Sequence, residues 1–435
     1  MSRFKIAFAQ PEVTLESFSD DGNLKHEIKG LIHALESEFD DITRTTDTVE
    51  NLISLSEVTG EIGEQPTDNE RKLINLAGQF AVTGTEANPE DVVPSTESFK
   101  TFQNQLAERI VVANESISES LTRIWEGFKD VLKKIRLAFT STDKELKILA
   151  AEIKKLGSKK KRDSITINLK QSHPGKYLDS MSSYSDGLVK TTEYTGKFFN
   201  ELIKRGNSFV TESTSLLGNL KRNKGDEETL INETFDQFQS LFGTSFAAAV
   251  KLSNKSDEGT VVRHSSEPLF GGVRLVIEVP KEEKGVDVPY ADKLLQMKRF
   301  GVDVEFDERN LEDGNPNFTI TYSELEKLCA TVIAENRKLA DNLDGFDRLY
   351  SKMEELIHEQ SGIKINSGGS LNIGSVIAAG VSAVKGANKL TKINDIVGRY
   401  VVNALDSFFE ADIALDSARR LVKKATLNTA WLKEA

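Results

Sequence analysis

Residues 98–139 read SFKTFQNQLAERIVVANESISESLTRIWEGFKDVLKKIRLAF, and their spacing decides the architecture. Phe99, Phe102, Leu106, Ile110, Ala113, Ile117, Leu121, Ile124, Phe128, Leu132, Ile135 and Phe139 return every three or four positions. That is the period of a helix with one apolar stripe. Ser98 stands where an N-cap belongs, offering its oxygen to the free N–H groups of the first turn. An amphipathic helix of about forty residues is longer than most globular helices, so its stripe needs partner helices. A second helix, Asp143 to Leu156, is expected after a break at Ser141-Thr142, with Gly157-Ser158 ending it.

Upstream the character changes. Of a net charge of -12, residues 1–97 hold 7 Lys/Arg against 20 Asp/Glu, so the rest of the chain stands at +1. Charge this lopsided marks a candidate separable segment. Short helices are expected at Leu24–Phe39, Asp47–Val58 and Arg71–Phe80. Thr59-Gly60, Gln65-Pro66-Thr67-Asp68 and the run from Thr83 to Pro94 supply turn and loop chemistry between and after them. The last of these is the kind of exposed connection that proteases cut.

Downstream, Tyr184, Leu188, Tyr194, Phe198, Leu202 and Phe209 form a second helical stripe, and Leu230, Phe235, Phe238 and Leu241 a shorter one. Alternation at Val273–Val279 and Val302–Phe306, with a β-rich Phe318–Tyr322, is the only strand signal. Ser323 is expected to cap a helix reaching Gln360. Six glycines punctuate 361–388, and a last helix runs from about Leu390 to Ala425. The expected fold is therefore mainly α: an elongated long-helix bundle with a small antiparallel β insertion, α+β overall. Its parts are an acidic leader (1–97), a long amphipathic basic helical hairpin (98–162), a helical region (163–260), a small β insertion (261–322) and a C-terminal helical region (323–435) with a Gly-rich connector at 362–388.

Catalytic patterns are missing from the sequence. The five histidines stand at no metal-ligand spacing, and no nucleophile elbow, P-loop or dinucleotide fingerprint occurs. The lone cysteine, Cys329, falls on an apolar helical position, where a thiol is buried and inert. Asp303, Glu305 and Asp307 share one strand face, read as solvated acid rather than a cation site. No cofactor or metal is expected. No apolar run reaches the eighteen residues that a membrane-crossing helix requires.

Two basic features remain. On 121–139, Trp125, Phe128, Leu132 and Ile135 lie to one side, with Lys133, Lys134 and Arg136 around them. An aromatic face beside cations suits either the headgroup zone of a membrane or packing against neighbouring helices. Lys159-Lys160-Lys161-Arg162 is a compact run that could neutralise nucleic-acid phosphates without sequence preference, or serve as a solvated loop.

With these residues in hand, the chain resembles the internal head proteins of large tailed bacteriophages, over about residues 1–140. The resemblance rests on the acidic leader with Glu16-Ser17-Phe18, the second Glu97-Ser98-Phe99, and the helix Thr122–Phe139 that follows. In that family a capsid-maturation protease cuts after glutamate preceded two positions earlier by a small residue. Ser95, Thr96, Glu97 and Ser98 fit, implying a cut between Glu97 and Ser98. Ala34-Leu35-Glu36, Ala113-Asn114-Glu115 and Ser265-Ser266-Glu267 fit as well. Only Ser95–Glu97 coincides with a loop, a charge boundary and a helix start. The resemblance implies a non-enzymatic virion structural protein, made in the host cytoplasm and packaged inside the head with the genome, then ejected with it. The implied partners are other virion proteins, the protease, packaged DNA, the bacterial inner membrane and further copies in an oligomer. Two rivals stand: a membrane-active or pore-forming effector using 121–139, and a helical scaffold or baseplate component.

Overall fold

The computed structural model describes residues 21–62, 66–81, 99–168, 181–221, 227–259, 261–270, 273–281, 293, 296–306, 317–361 and 373–434. In chain order its helices and strands are α1 (Asp21–Glu61), α2 (Asp68–Ala81), α3 (Phe99–Gly157), β1 (Ser164–Asn168), α4 (Met181–Lys221), α5 (Glu227–Phe242), α6 (Thr244–Ala249), β2 (Asn254–Glu258), β3 (Val261–Ser265), β4 (Val273–Pro280), β5 (Gly301–Phe306), β6 (Asn317–Thr321), α7 (Tyr322–Ala340), α8 (Leu343–Ser361), α9 (Ile373–Glu410) and α10 (Ile413–Thr426). The mainly helical expectation, with a small antiparallel sheet, holds.

The helices are longer than the sequence suggests. α1 is one element of 41 residues, not two short helices, and α3 runs for 59 residues straight through Ser141-Thr142. The reason is visible in the polar stretches where breaks were expected. Thr45, Thr46 and Thr48 donate their hydroxyls to the carbonyls of Asp41, Ile42 and Arg44, one turn back, at 2.7–2.9 Å. Thr140 does the same to Arg136 at 2.8 Å. Hydroxyls bonded this way are satisfied without leaving the helix. The apolar stripe meanwhile continues beneath them, through Ile42 and Val49 in α1.

α3 is the spine. α1, α7, α8, α9 and α10 all pack on it. Phe408 of α9 marks a centre of the core, with ring centroids 5.9 Å from Phe139 of α3, 5.2 Å from Phe199 of α4 and 5.5 Å from Phe346 of α8. Each fully buried phenylalanine contributes roughly 1.5–3 kcal/mol. Buried residues from α1 through α10 belong to one hydrophobic cluster.

The β residues divide into two sheets. β2-β3-β4-β5 is antiparallel, with β5 against α9 and the fully exposed NKSDE sequence of β2 on an edge. Charged residues on an edge strand discourage pairing with other chains. β6 instead pairs with β1, Ile320 opposite Ile165, so the expected insertion does not hold together as one unit. β1 to β3, each only five residues long, were not expected from the sequence.

Local stops also differ from expectation. Thr321 rather than Ser323 caps α7, in a reciprocal capping box with Glu324. α7 and α8 are separate, divided at Asp341-Asn342, and Ala411-Asp412 divides α9 from α10. α9 begins at Ile373, so most of the expected Gly-rich connector is helix, while 362–372 lies outside the described residues.

Candidate functional site

The region with a functional question attached is the seat of α1, because α1 belongs to the segment that composition marks as separable. Ile28, Ile32, Leu35, Phe39, Ile42 and Val49 recur at helical spacing, and each is 5% exposed or less. They face α3 and α9. Phe39 enters a slot made by Gly398: a Cβ at that position would overlap the ring. The guanidinium of Arg399 lies 5.8 Å from the centre of the same ring.

Polar groups close the seat from both ends. Near Phe39, Arg399 donates to Asp40 at 2.8 Å and to Asp395 at 2.9 Å. Asp395 is 2% exposed and also takes Thr43 at 3.0 Å and Lys298 at 2.8 Å. Towards the start of α1, Lys25 meets Asp416 at 3.4 Å, Lys29 meets Glu410, and Glu27 meets Lys134 of α3. Further along, Glu50 pairs with Lys392 at 2.6 Å, and Gln103 of α3 donates to the Thr59 carbonyl at 2.7 Å. Three acids of the leader, Glu27, Asp40 and Glu50, are thus paired with body cations, and body acids with leader lysines. The sequence carried no sign of this matching, since partners lie more than a hundred positions apart in most pairs.

The acids behind Lys25 and Lys29 are perturbed. Burial pushes Asp412 up to about 7, Asp416 adding to it and Lys25 and Arg419 opposing; its Oδ1 has no hydrogen-bond partner. Burial, then Glu410, pushes Asp406 up to about 6. Asp416 goes the other way: burial would raise it, but Lys25, Arg419 and Arg420 hold it below the usual carboxylate range.

The residues singled out in the sequence fall as follows. Ser95, Thr96, Glu97 and Ser98 lie outside the described residues. Trp125, Phe128, Leu132 and Ile135 are core: the Trp125 ring meets Phe128 and Tyr350 edge-on at 5.9 Å, and Phe128 stacks on Tyr350. Lys134 is committed to Glu27 and Arg136 to Asp344 and Asp347, while Lys133 is exposed. Two members of the 159–162 run, Lys161 and Arg162, bond residues 433–434. Lys161 pairs with Glu434 at 2.9 Å, Arg162 donates to the carbonyls of Lys433 and Glu434, and Lys160 pairs with Asp163 beside the Tyr322 ring. Trp431 is fully buried next to them. Lys159 is exposed.

Cys329 is buried, its thiol raised to about 11 by that burial. Glu305 pairs with Arg263, and Asp303 is exposed. Among the described residues no cluster of His, Cys, Asp and Glu could hold a metal ion, and no helix is long and apolar enough to cross a membrane.

The model of one protein family, the phiKZ-like phage internal head proteins, matches residues 21–392. No curated protein and no solved structure matches the chain. The match starts where α1 starts and ends within α9, so it takes in the leader helix, α3 and the sheet, and stops short of Asp395, Gly398 and Arg399. The chain belongs to the phiKZ-like phage internal head proteins, virion components housed inside the phage head.

Proposed function

We propose that this chain is a non-enzymatic packing protein of the head interior, and that its acidic N-terminal helix is a permanent part of the folded body. The observation that carries the second half is the seat of Phe39 against Gly398, flanked by the Asp395–Arg399–Asp40 network. A maturation cut after Glu97 then nicks the chain without shedding the leader. Part of the acid of α1 stays in the particle paired with the body, Glu27 with Lys134, Asp40 with Arg399 and Glu50 with Lys392, which lessens its repulsion of DNA. Ejection follows as a further step of the same reading, with the protein leaving the head alongside the genome.

The membrane-active rival needs the Trp125 face to be open. In the folded chain that face is filled by Tyr350 and its neighbours, so exposing it means dismantling the core around α3 and α8.

Mass analysis of protein released from purified heads tests the proposal. The expected result is a fragment beginning at Ser98 and an N-terminal fragment in equal amount, running as one species under native conditions. The Ser98 form without its leader would overturn the retained-helix reading. A chain uncut at Glu97 would overturn the maturation step, and absence of the protein from heads the packing role. Depletion from particles after DNA release supports ejection; retention in emptied heads refutes it.

A further inference from the structure

Between α4 and α8 runs an open cleft of about 510 Å³ whose charge is opposite to that of the chain as a whole. One wall is the α4 stripe Asn200, Lys204, Asn207, Ser208 and Thr211; the other carries Arg348 and Lys352. Gly345 forms the floor, where a Cβ would press on Ile203 at 3.0 Å, so the two helices lie close and the polar side chains stand up as rims. From Asn200 to Thr211 the stripe is about 17 Å long at 1.5 Å per residue.

Three cations line this cleft against one acid, Glu212. The other acids close by are engaged elsewhere. Asp344 and Asp347 on α8 hold Arg136, and Glu201 on α4 binds Arg205 at 2.8 Å while only loosely approaching Lys204 at 3.9 Å. Lys352 donates to a neutral partner, the Thr211 hydroxyl, at 2.9 Å. Arg348 has no carboxylate within ion-pair distance among the described residues. Of the cations expected to meet DNA, Lys159 to Arg162, Lys160 is held by Asp163 and Lys161 and Arg162 by residues 433–434, with Lys159 exposed. In the cleft, Arg348 and Lys352 have no carboxylate partner among the described residues, and Lys204 only the distant Glu201.

We propose that the α4–α8 cleft binds the phosphodiester backbone of duplex DNA, without sequence preference. It rests on the reading of the protein as a neighbour of the packaged genome. The fit is one of charge and shape. Strand phosphates follow one another at about 3.4 Å along the duplex axis, so a 17 Å stripe faces several in succession. Arginine and lysine supply the charge, and the Ser, Thr and Asn side chains supply the kind of donors that accompany them on phosphate oxygens. Only Ile203 offers an apolar surface, so the cleft lacks the pockets that anchor a protein partner.

The test is fluorescence anisotropy of the full chain with a labelled random-sequence 20-base-pair duplex, titrated between 50 and 200 mM NaCl. Three phosphate contacts give a slope of log affinity on log salt of about -2.7, a loss of roughly 40-fold over that range. The triple variant Lys204→Gln, Arg348→Gln, Lys352→Gln is expected to lose the slope and the binding, whereas Lys159→Gln keeps both. Should the triple variant fail to fold, Lys204→Glu and Arg348→Glu, each at an exposed position, are expected to reduce the slope by about one unit or more apiece. A slope unchanged in these variants, or no binding by the parent chain at 50 mM salt, overturns the proposal. So does binding of poly-L-glutamate in place of DNA, which would assign the cleft to an acidic polypeptide. The outcome is independent of the particle analysis: a protein found in heads that ignores DNA loses the cleft and keeps its location.

Discussion

α1 and α2 both lie in the N-terminal part that charge sets apart, yet they relate to the body in opposite ways. α1 carries ten Asp/Glu against three Lys/Arg and is the more deeply installed of the two. α2 has two of each and stays peripheral: it packs chiefly on α1, with Ile74 buried but Leu73 and Leu76 exposed at 65% and 49%. Net charge therefore does not decide what is separable here. What decides it is the length of the apolar stripe and whether acids on its flanks find cations on the body. α1 has several turns of stripe and several such partners; α2 has one buried side and little else.

The strongest way to break this contrast is at Phe39. Phe39→Ala removes a fully buried ring from a slot shaped by Gly398, and is expected to cost about 3–5 kcal/mol. Urea unfolding reads the loss as a lower midpoint, and proteolysis should reach α1 before the rest of the chain. A cost below about 1 kcal/mol would mean that α1 is not seated as described.

A smaller effect comes from the acids behind the start of α1. Asp412 and Asp406 bind protons more tightly folded than unfolded, so between pH 4 and 7 the folded state holds more protons. Stability from these groups is accordingly fully present below about pH 4 and is lost progressively as pH rises from there through about 6 and 7. Asp416, held low, contributes the reverse, a stabilisation lost only at more acidic pH. Asp412→Asn is expected to stabilise the protein at pH 7.5 by roughly 1–3 kcal/mol and to flatten the decline between pH 5 and 7.5, followed by thermal melts across that range. Equal pH profiles for variant and parent would contradict the burial of a lone carboxyl there.

The smallest change is expected on the other side of the comparison. Leu73→Ala is expected to shift stability by no more than about 0.5 kcal/mol, because the side chain is already in water. A larger loss would show that α2 is covered.

What the sequence could reveal follows from the range of the interactions involved. The stripe from Phe99 to Phe139 was legible because helical periodicity is local, and so was the strand at Val273–Val279. The buried thiol of Cys329 was readable for the same reason. The uninterrupted course through Thr45–Thr48 and Thr140–Thr142 was not, since polar β-branched residues favour a break until their hydroxyls find carbonyls one turn back. The pairing of β6 with β1 joins residues some 150 positions apart, and five-residue strands give no warning of it. The seat of α1 is non-local in the same way: Phe39 and Gly398 are unremarkable apart, and only folding shows that one fits the other. Charge composition, the strongest signal at the N-terminus, was real but concerned the surface. It marked a change in what faces solvent and was silent about what lies beneath.

The retained helix is tested most directly by cutting the folded chain on purpose. A site-specific protease sequence placed within residues 82–98 allows cleavage after purification, followed by size-exclusion chromatography in native buffer and in denaturant. The account requires both fragments to elute together at the volume of the uncut protein and to part only when urea unfolds them. Fragments that separate in native buffer, leaving a folded body behind, would contradict it.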